Sequence, residues 1–243
     1  MVWKLENSKA VFQFNQWQGY FDLAIPEKGL QIVAPGGATL DTIFGVLFPK
    51  PHQPFQQDCY TRLGDLIAAY PQRDSRKFNV QLDYRLLDSS LDGLLVELWI
   101  SIQTYLLDSH PSVSVRCALA LANFSSYTSS DTDELSISAT SHFSMSKAND
   151  ASNVRPIAAM SGRIAENGPC IAWLTHPRDQ FDTTWMPSPD NDALEGRLFG
   201  HFMEKGVIRR GRMRCFISQH PLDLFQLQKE YRAFTGSPLP LTA

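Results

Sequence analysis

The sequence predicts an all-β protein: a large antiparallel β-sandwich of two sheets with one C-terminal helix. Four long segments alternate between apolar and polar residues, which is typical of antiparallel strands with one buried face. A helix has a different period and would scatter the same apolar residues around its axis. Only residues near 221–234, just before Gly236, place apolar side chains at helical spacing.

The strand predictions follow the chain in order. The four alternating segments are residues 79–86, 94–103, 113–121 and 135–145. Shorter strands are expected where apolar runs are bounded by turn residues, at residues 21–25, 30–33, 43–48, 66–70, 156–164, 170–175, 181–185, 198–203 and 207–217. Glu204, Lys205 and Gly206 separate the last two segments and have the length of a hairpin loop.

So many strands in 243 residues exceed what one flat sheet holds, so we expect two packed sheets in a single domain over residues 1–243. The polar stretch at residues 125–133 has the composition of a loop within that domain. Enlarged sandwiches include the galactose-mutarotase-like fold and other carbohydrate-handling domains, which we consider here by analogy. A fold does not by itself define a function.

Composition excludes several classes of partner. Lys plus Arg number 22 and Asp plus Glu 25, a net charge of −3, whereas bulk binding to nucleic acid or to a membrane surface needs a basic excess. No apolar run reaches the length of a membrane helix. The N-terminus lacks the pattern of a secretory signal, so we expect a cytoplasmic protein.

Motifs for cofactors and metals are absent from the sequence. It contains no phosphate-binding loop, dinucleotide fingerprint, nucleophile elbow or zinc-protease motif, so we expect no cofactor. Its cysteines are far apart and the histidines do not pair at ligand spacing, so we expect no metal site. The cysteines are interpreted as buried free thiols: Cys59, Cys117, Cys170 and Cys215.

The most basic stretch lies in the last predicted strand. Arg210, Arg212 and Arg214 fall on one face of that strand, and their charges repel unless acids, water or an anionic ligand intervene. Guanidinium groups offer paired donors for carboxylate or phosphate, so one interpretation is a clamp for an anion. The alternatives are a solvated face paired with acids of neighbouring strands, or a strand edge protected by charge.

The polar faces of the other strands form a second candidate site. If these strands are neighbours, their side chains line one concave surface on which an aromatic ring stacks against a sugar and charged groups bind its hydroxyls. The candidates are Arg85, Glu97, Trp99, Arg116 and His142. The alternative is that Trp99 is covered by the helix or by a second sheet.

An enzymatic version of this site needs a proton donor and a proton acceptor. His142 or His176 is the candidate acid, and Glu97 or Glu204 the candidate base, for proton transfer at an anomeric centre. The hypothesis requires Glu97, Arg116 and His142 to lie in one cleft.

Three functional hypotheses remain open at this point. The first is a carbohydrate-related binding domain without catalysis, with a sugar or an anionic small molecule as ligand. The second is a sugar-epimerising, mutarotase-type enzyme with a His/Glu pair and an arginine anchor. The third is a structural or protein-interaction domain. The sequence does not predict an oligomeric state.

Overall fold

The computed structural model describes residues 2–48, 58–71, 78–87, 93–117, 121–129, 135–141, 158–164, 168–176, 179, 186–187 and 194–237. Within these ranges the protein consists mainly of antiparallel strands with one α-helix, so the predicted all-β class is confirmed. The predicted strand at residues 181–185 lies outside the described residues, as do residues 142–145 of the fourth alternating segment.

The described strands form three sheets, of five, nine and four strands. In chain order the elements are β1 (Trp3–Glu6), β2 (Lys9–Phe14), β3 (Trp17–Asp22), β4 (Leu30–Val33), β5 (Thr39–Ile43), β6 (Gly45–Leu47), β7 (Asp58–Arg62), β8 (Asp65–Tyr70), β9 (Asn79–Leu87), β10 (Gly93–Gln103), β11 (Ser112–Cys117), β12 (Leu121–Ser129), β13 (Leu135–Ser141), β14 (Ala159–Ile164), β15 (Cys170–Thr175), β16 (Met186–Pro187), β17 (Leu194–Phe199), β18 (Ile208–Ser218) and helix α1 (Leu224–Thr235).

The five-stranded sheet is a meander of β1 to β5 in chain order. Its first two turns place Asn7 and Asn15 at φ 54°, in the left-handed region that asparagine tolerates better than most residues. A 3-10 turn at Pro26–Lys28 joins β3 to β4. β1 and β2 are absent from the predicted strands, although Asn7 and Asn15 lie between runs in which apolar and polar residues alternate.

The nine-stranded sheet has the order β13-β12-β14-β15-β18-β10-β9-β8-β7, and the four-stranded sheet the order β16-β17-β11-β6. The predicted hairpin around Glu204 is therefore wrong, because β17 and β18 belong to different sheets. Phe199 at φ 69° and Gly200 at φ 97° lie where the chain leaves β17. Met203 then bridges to Ser109 instead of starting a hairpin.

Two other sequence boundaries also differ from the structure. The single strand predicted at residues 113–121 is divided, because β11 ends at Cys117 and β12 begins at Leu121 in another sheet. Half of the expected loop at residues 125–133 is part of β12, where Ser and Tyr residues pair with β13 and β14. Both errors have one cause: local composition does not report the partner strands that stabilise a segment.

The main core lies between the nine-stranded sheet and the two smaller sheets. Every second residue of β9 and β10 is buried there, as the alternation predicts. Hydroxyl groups also join the layers: Tyr84 donates to the Phe44 carbonyl oxygen at 2.7 Å and Tyr70 to that of Leu23 at 2.9 Å. The layered sandwich architecture follows from these contacts.

Helix α1 covers part of the opposite face of the nine-stranded sheet. Leu227, Tyr231 and Phe234 are buried in a second apolar cluster with residues that include Leu95 and Phe216. The helix begins at Leu224, within the predicted range, but Leu224 itself is exposed rather than part of the buried stripe. This helix defines one border of the polar surface described below.

The start of α1 yields a stability prediction. The Asp223 side chain accepts a hydrogen bond from the Gln226 backbone at 2.7 Å, and the Gln226 side chain accepts one from Asp223 N at 3.0 Å. Such a capping box satisfies two backbone donors, so Asp223→Ala should lower the free energy of unfolding by about 1 kcal/mol. Urea denaturation measures this change; no loss of stability would contradict the assigned helix start.

The four cysteines are free thiols. Cys117, Cys170 and Cys215 are buried, and Cys59 is partly exposed. Burial raises the pKa of Cys59 to about 11, so its reactive thiolate form is scarce near neutral pH. The expected cytoplasmic location stays a prediction.

Candidate functional site

The candidate site lies on the face of the nine-stranded sheet that also carries α1. Four neighbouring strands, β8, β9, β10 and β18, place polar residues there in two cross-strand rows. The first row is Asp65, Arg85, Glu97 and Arg214, and the second contains Asp83, Trp99 and Arg212. Directly opposed side chains in adjacent strands lie about 5 Å apart at Cβ, so the members of each row are neighbours.

Glu97 is the centre of the first row and is 3% exposed. Its Oε1 accepts a hydrogen bond from Arg214 Nε at 2.8 Å, and its Oε2 accepts one from Trp99 Nε1 at 3.0 Å. Arg85 Nη1 lies 3.5 Å from the same Oε2. Both carboxylate oxygens are therefore occupied, so Glu97 holds its neighbours in place and is poorly suited to act as a general base.

Trp99 and Arg85 form the surface next to this ion pair. Arg85 donates through Nε to Asp65 Oδ2 at 3.1 Å, and its guanidinium carbon lies 4.3 Å from the centre of the Trp99 ring. Trp99 is partly exposed, whereas Glu97, two residues before it on the same face of β10, is buried. The indole is thus fixed by its N–H and by a stacked cation while part of its ring remains accessible.

Asp83 lies directly opposite Trp99 in the β9–β10 register and is 7% exposed. Its Oδ1 is buried and has no hydrogen-bond partner. Burial, reinforced by the charge of Asp65, raises the pKa of Asp83 to about 7, although Arg85, Arg62 and Arg210 act against this shift. A buried carboxyl oxygen without a donor is costly, so its presence beside a partly exposed tryptophan needs an explanation.

The arginines of β18 share one face, as their spacing requires, but most of them are not available to a ligand. Arg214 is 7% exposed, lies over the Phe234 ring and has Nη1 4.0 Å from Glu230 Oε2. Arg212 is 3% exposed and donates through Nη1 to both the carbonyl and the hydroxyl oxygen of Ser237 at 3.1 Å.

Arg210 alone of the three is partly exposed. The buried arginines therefore anchor the end of α1 to the sheet. An anion clamp formed by all three residues does not fit this arrangement. Of the alternative interpretation, the pairing with an acid of a neighbouring strand is present, since Arg214 pairs with Glu97 on β10, but Arg212 and Arg214 are buried rather than solvated.

Arg116 does not belong to this site, so its grouping with Glu97 is wrong. It lies on β11 in the four-stranded sheet, where Nη2 is 3.2 Å from Glu195 Oε2. Alternation places a residue on the polar side of its strand but does not say which sheet that strand joins. His142 lies outside the described residues.

The two remaining candidates for proton transfer lie far from each other. His176 is 4% exposed, and its Nε2 lies 3.4 Å from the Thr235 carbonyl oxygen at the end of α1. Glu204 lies in the exposed loop before β18, where its carbonyl oxygen accepts from Val207 N at 3.2 Å. The backbone N–H of His176 donates to the carbonyl oxygen of Arg212. Arg212 lies four strand residues, or about 13 Å, from Ile208, where β18 begins after the loop that contains Glu204. These two residues do not form an acid–base pair.

Sequence reasoning missed Asp65 and Asp83. Both alternate with buried residues, so their polar-face position was visible in the sequence. Their importance depends on register, because only the pairing of β8, β9 and β10 brings them to Arg85 and Trp99. Among the described residues, no group of His, Cys, Asp and Glu is arranged to hold a metal ion, and no helix is both long and apolar enough to cross a bilayer.

Comparison with known proteins yields similarity of structure but not of sequence. No family model and no curated protein matches the chain. A heparan sulfate lyase HepC mutant from Pedobacter heparinus aligns with 92% of the chain at a TM-score of 0.49 and 8% identity. The heparinase III BT4657 gene product aligns with 91% at a TM-score of 0.48 and 9% identity. The chain spans 37% and 36% of these two proteins, respectively.

Proposed function

We propose that this protein is a carbohydrate-binding domain that holds a saccharide, without chemical change, on the nine-stranded sheet around Trp99. One observation carries the proposal: Trp99 is partly exposed, yet its ring is fixed by Glu97 through the indole N–H and by the stacked Arg85. A rigid aromatic plate needs little ordering on binding, and its apolar face suits the C–H face of a sugar ring.

The polar groups beside the ring support the same proposal. Asp65 and Arg85 are both partly exposed and lie in the row adjacent to Trp99. Carboxylate and guanidinium groups provide acceptors and donors for sugar hydroxyls, and their mutual ion pair holds them in position. The epimerase hypothesis has weaker support, because Glu97 has both oxygens occupied and His176 is buried under the end of α1.

Replacement of the aromatic plate should weaken binding strongly. We expect the wild-type protein to bind at least one member of a panel of maltotetraose, cellotetraose, xylotetraose and tetragalacturonate, and Trp99→Ala to bind it at least tenfold more weakly. Stacking on an aromatic side chain is worth about 1 kcal/mol beyond its buried area, and with the apolar area of the ring the loss exceeds the roughly 1.4 kcal/mol that corresponds to a factor of ten. Isothermal titration calorimetry measures the affinities.

The matched control is Tyr105→Ala. Tyr105 is 57% exposed and follows the C-terminal end of the same strand, about 20 Å of extended chain from Trp99, so this variant removes an exposed aromatic ring away from the site. We expect Tyr105→Ala to retain wild-type affinity. Equal affinity of wild type and Trp99→Ala for every ligand that binds would contradict the proposed site, and the absence of binding to the whole panel would contradict the carbohydrate function.

A further inference from the structure

The row that contains Trp99 continues past Asp83 to β7, at the edge of the nine-stranded sheet. Asp83 is paired with Ile67 on β8, and Ile67 with Tyr60 on β7. Tyr60 faces the same side of the sheet as Trp99, because its neighbour Cys59 packs against the main core on the other side. The row therefore carries two aromatic residues, Tyr60 and Trp99, three strands apart.

Both aromatic rings are open to solvent, and the two residues between them are not. Tyr60 is 45% exposed and Trp99 is partly exposed, whereas Ile67 and Asp83 are 1% and 7% exposed. Adjacent strands lie about 4.8 Å apart, so the two aromatic residues are separated by about 14 Å. One sugar ring cannot stack on both, but a linear chain of linked sugar rings spans that distance.

The row is closed in the other direction. The next residue beyond Trp99 is Arg212 on β18, which is 3% exposed and donates through Nη1 to Ser237, just after the end of α1. The guanidinium carbon of Arg212 also lies 5.6 Å from the centre of the Phe234 ring. The end of α1 thus covers the row on that side, and a chain stacked on Trp99 along the row extends towards Tyr60.

Polar side chains accompany the row over the same distance. Arg62 on β7 is directly opposed to Asp65 on β8, and Asp65 Oδ2 accepts a hydrogen bond from Arg85 Nε on β9 at 3.1 Å. Each of the three stands two positions along its strand from a member of the Trp99 row. Arg62 is exposed, and the side chains of Asp65 and Arg85 are 19% and 27% exposed. Donors and acceptors for sugar hydroxyls are therefore present between the two rings.

From this arrangement we propose that Tyr60 is a second stacking residue and that the ligand is a linear oligosaccharide chain laid across β10, β9, β8 and β7, from Trp99 to Tyr60. This inference rests on the proposed carbohydrate function and adds the length and direction of the ligand and a second binding residue. The chain contacts the exposed side chains of the two rows, and the buried Ile67 and Asp83 remain beneath it.

Calorimetry with two ligand lengths tests this inference. The ligands are the tetrasaccharide of the panel that binds and the disaccharide with the same sugar and linkage. Tyr60→Ala should bind the tetrasaccharide about threefold to tenfold more weakly, because one stacking contact is lost. Its affinity for the disaccharide should equal that of wild type, because a disaccharide on Trp99 does not reach Tyr60.

Two variants serve as controls. Tyr60→Phe keeps the aromatic ring and should bind the tetrasaccharide within about twofold of wild type, since stacking needs the ring and not the hydroxyl. Tyr105→Ala removes a similarly exposed ring elsewhere and should bind it as wild type does. Melting curves establish that each variant is folded.

The outcomes separate the two proposals. If Tyr60→Ala binds the tetrasaccharide as wild type does while Trp99→Ala binds it weakly, the path to Tyr60 is wrong although the carbohydrate function stands. An equal loss for disaccharide and tetrasaccharide would also overturn the second contact, because Tyr60 would then act only through the structure of the Trp99 site. The absence of binding to the whole panel would contradict the carbohydrate function itself and, with it, this inference.

Discussion

Glu97→Gln should lower the free energy of unfolding by about 3 kcal/mol or more, one of the largest effects we expect from a single substitution. The carboxylate of Glu97 is the acceptor for Arg214, whose side chain is 8% exposed and cannot regain full hydration in the folded state. Removal of the negative charge leaves that guanidinium buried and poorly compensated, because Glu230 Oε2 is 4.0 Å away. Chemical denaturation measures the loss.

The matched control is Glu195→Gln. Glu195 forms a cross-strand ion pair with Arg116, at 3.2 Å, in which both side chains are about one third exposed (31% and 27%). A pair of the same chemistry but open to solvent contributes about 0–1 kcal/mol, so this substitution should be nearly silent. Equal losses in the two variants would show that burial does not set the strength of the Glu97–Arg214 pair.

Asp83→Asn should make the protein more stable at pH 8 and leave its stability almost unchanged near pH 3, below the ordinary pKa of an aspartate. The folded protein holds the proton of Asp83 up to a pKa of about 7, whereas an unfolded chain releases it near the ordinary value of 3.8. A carboxyl group with a raised folded-state pKa favours folding most at low pH, and this contribution is lost as the pH rises towards 7. The substitution removes this dependence.

The expected difference at pH 8 is about 2–4 kcal/mol, because a pKa shift from 3.8 to about 7 at about 1.4 kcal/mol per pKa unit sets an upper value near 4 kcal/mol. For a protein of this size, a gain of that magnitude in the free energy of unfolding raises the melting temperature by roughly 5–10 °C. Asp58→Asn, at an exposed position, serves as the reference for a carboxylate without burial. Wild type and Asp83→Asn with parallel stability profiles from pH 4 to 8 would contradict the buried environment assigned to Asp83.

The fold class was predictable because it depends on local periodicity. Val80, Leu82 and Tyr84 alternate with polar residues in the sequence, and the structure buries these residues in the main core. The same pattern correctly assigned Arg85, Glu97 and Trp99 to the opposite face. Local information also placed the C-terminal helix, through the spacing of Leu227, Tyr231 and Phe234.

Strand order was not predictable, because it is a property of contacts between distant segments. Glu97 and Arg214 are 117 positions apart, and nothing near either residue indicates that they pair. For the same reason Arg116 was grouped with Glu97 although it lies in another sheet. Asp83 was overlooked because its significance lies in a missing partner, which only three-dimensional packing reveals.

The most direct measurement of the central claim is a titration of the protein with the tetrasaccharide panel, followed by the indole N–H signals of its five tryptophans in two-dimensional NMR spectra. A Trp99→Phe variant identifies the signal of Trp99 by its disappearance. We expect this signal to shift in a saturable manner with at least one tetrasaccharide of the panel, while the signals of the buried Trp3 and Trp173 stay in place. If the largest shift falls on another tryptophan, or if none of the five signals moves, the saccharide does not bind at Trp99.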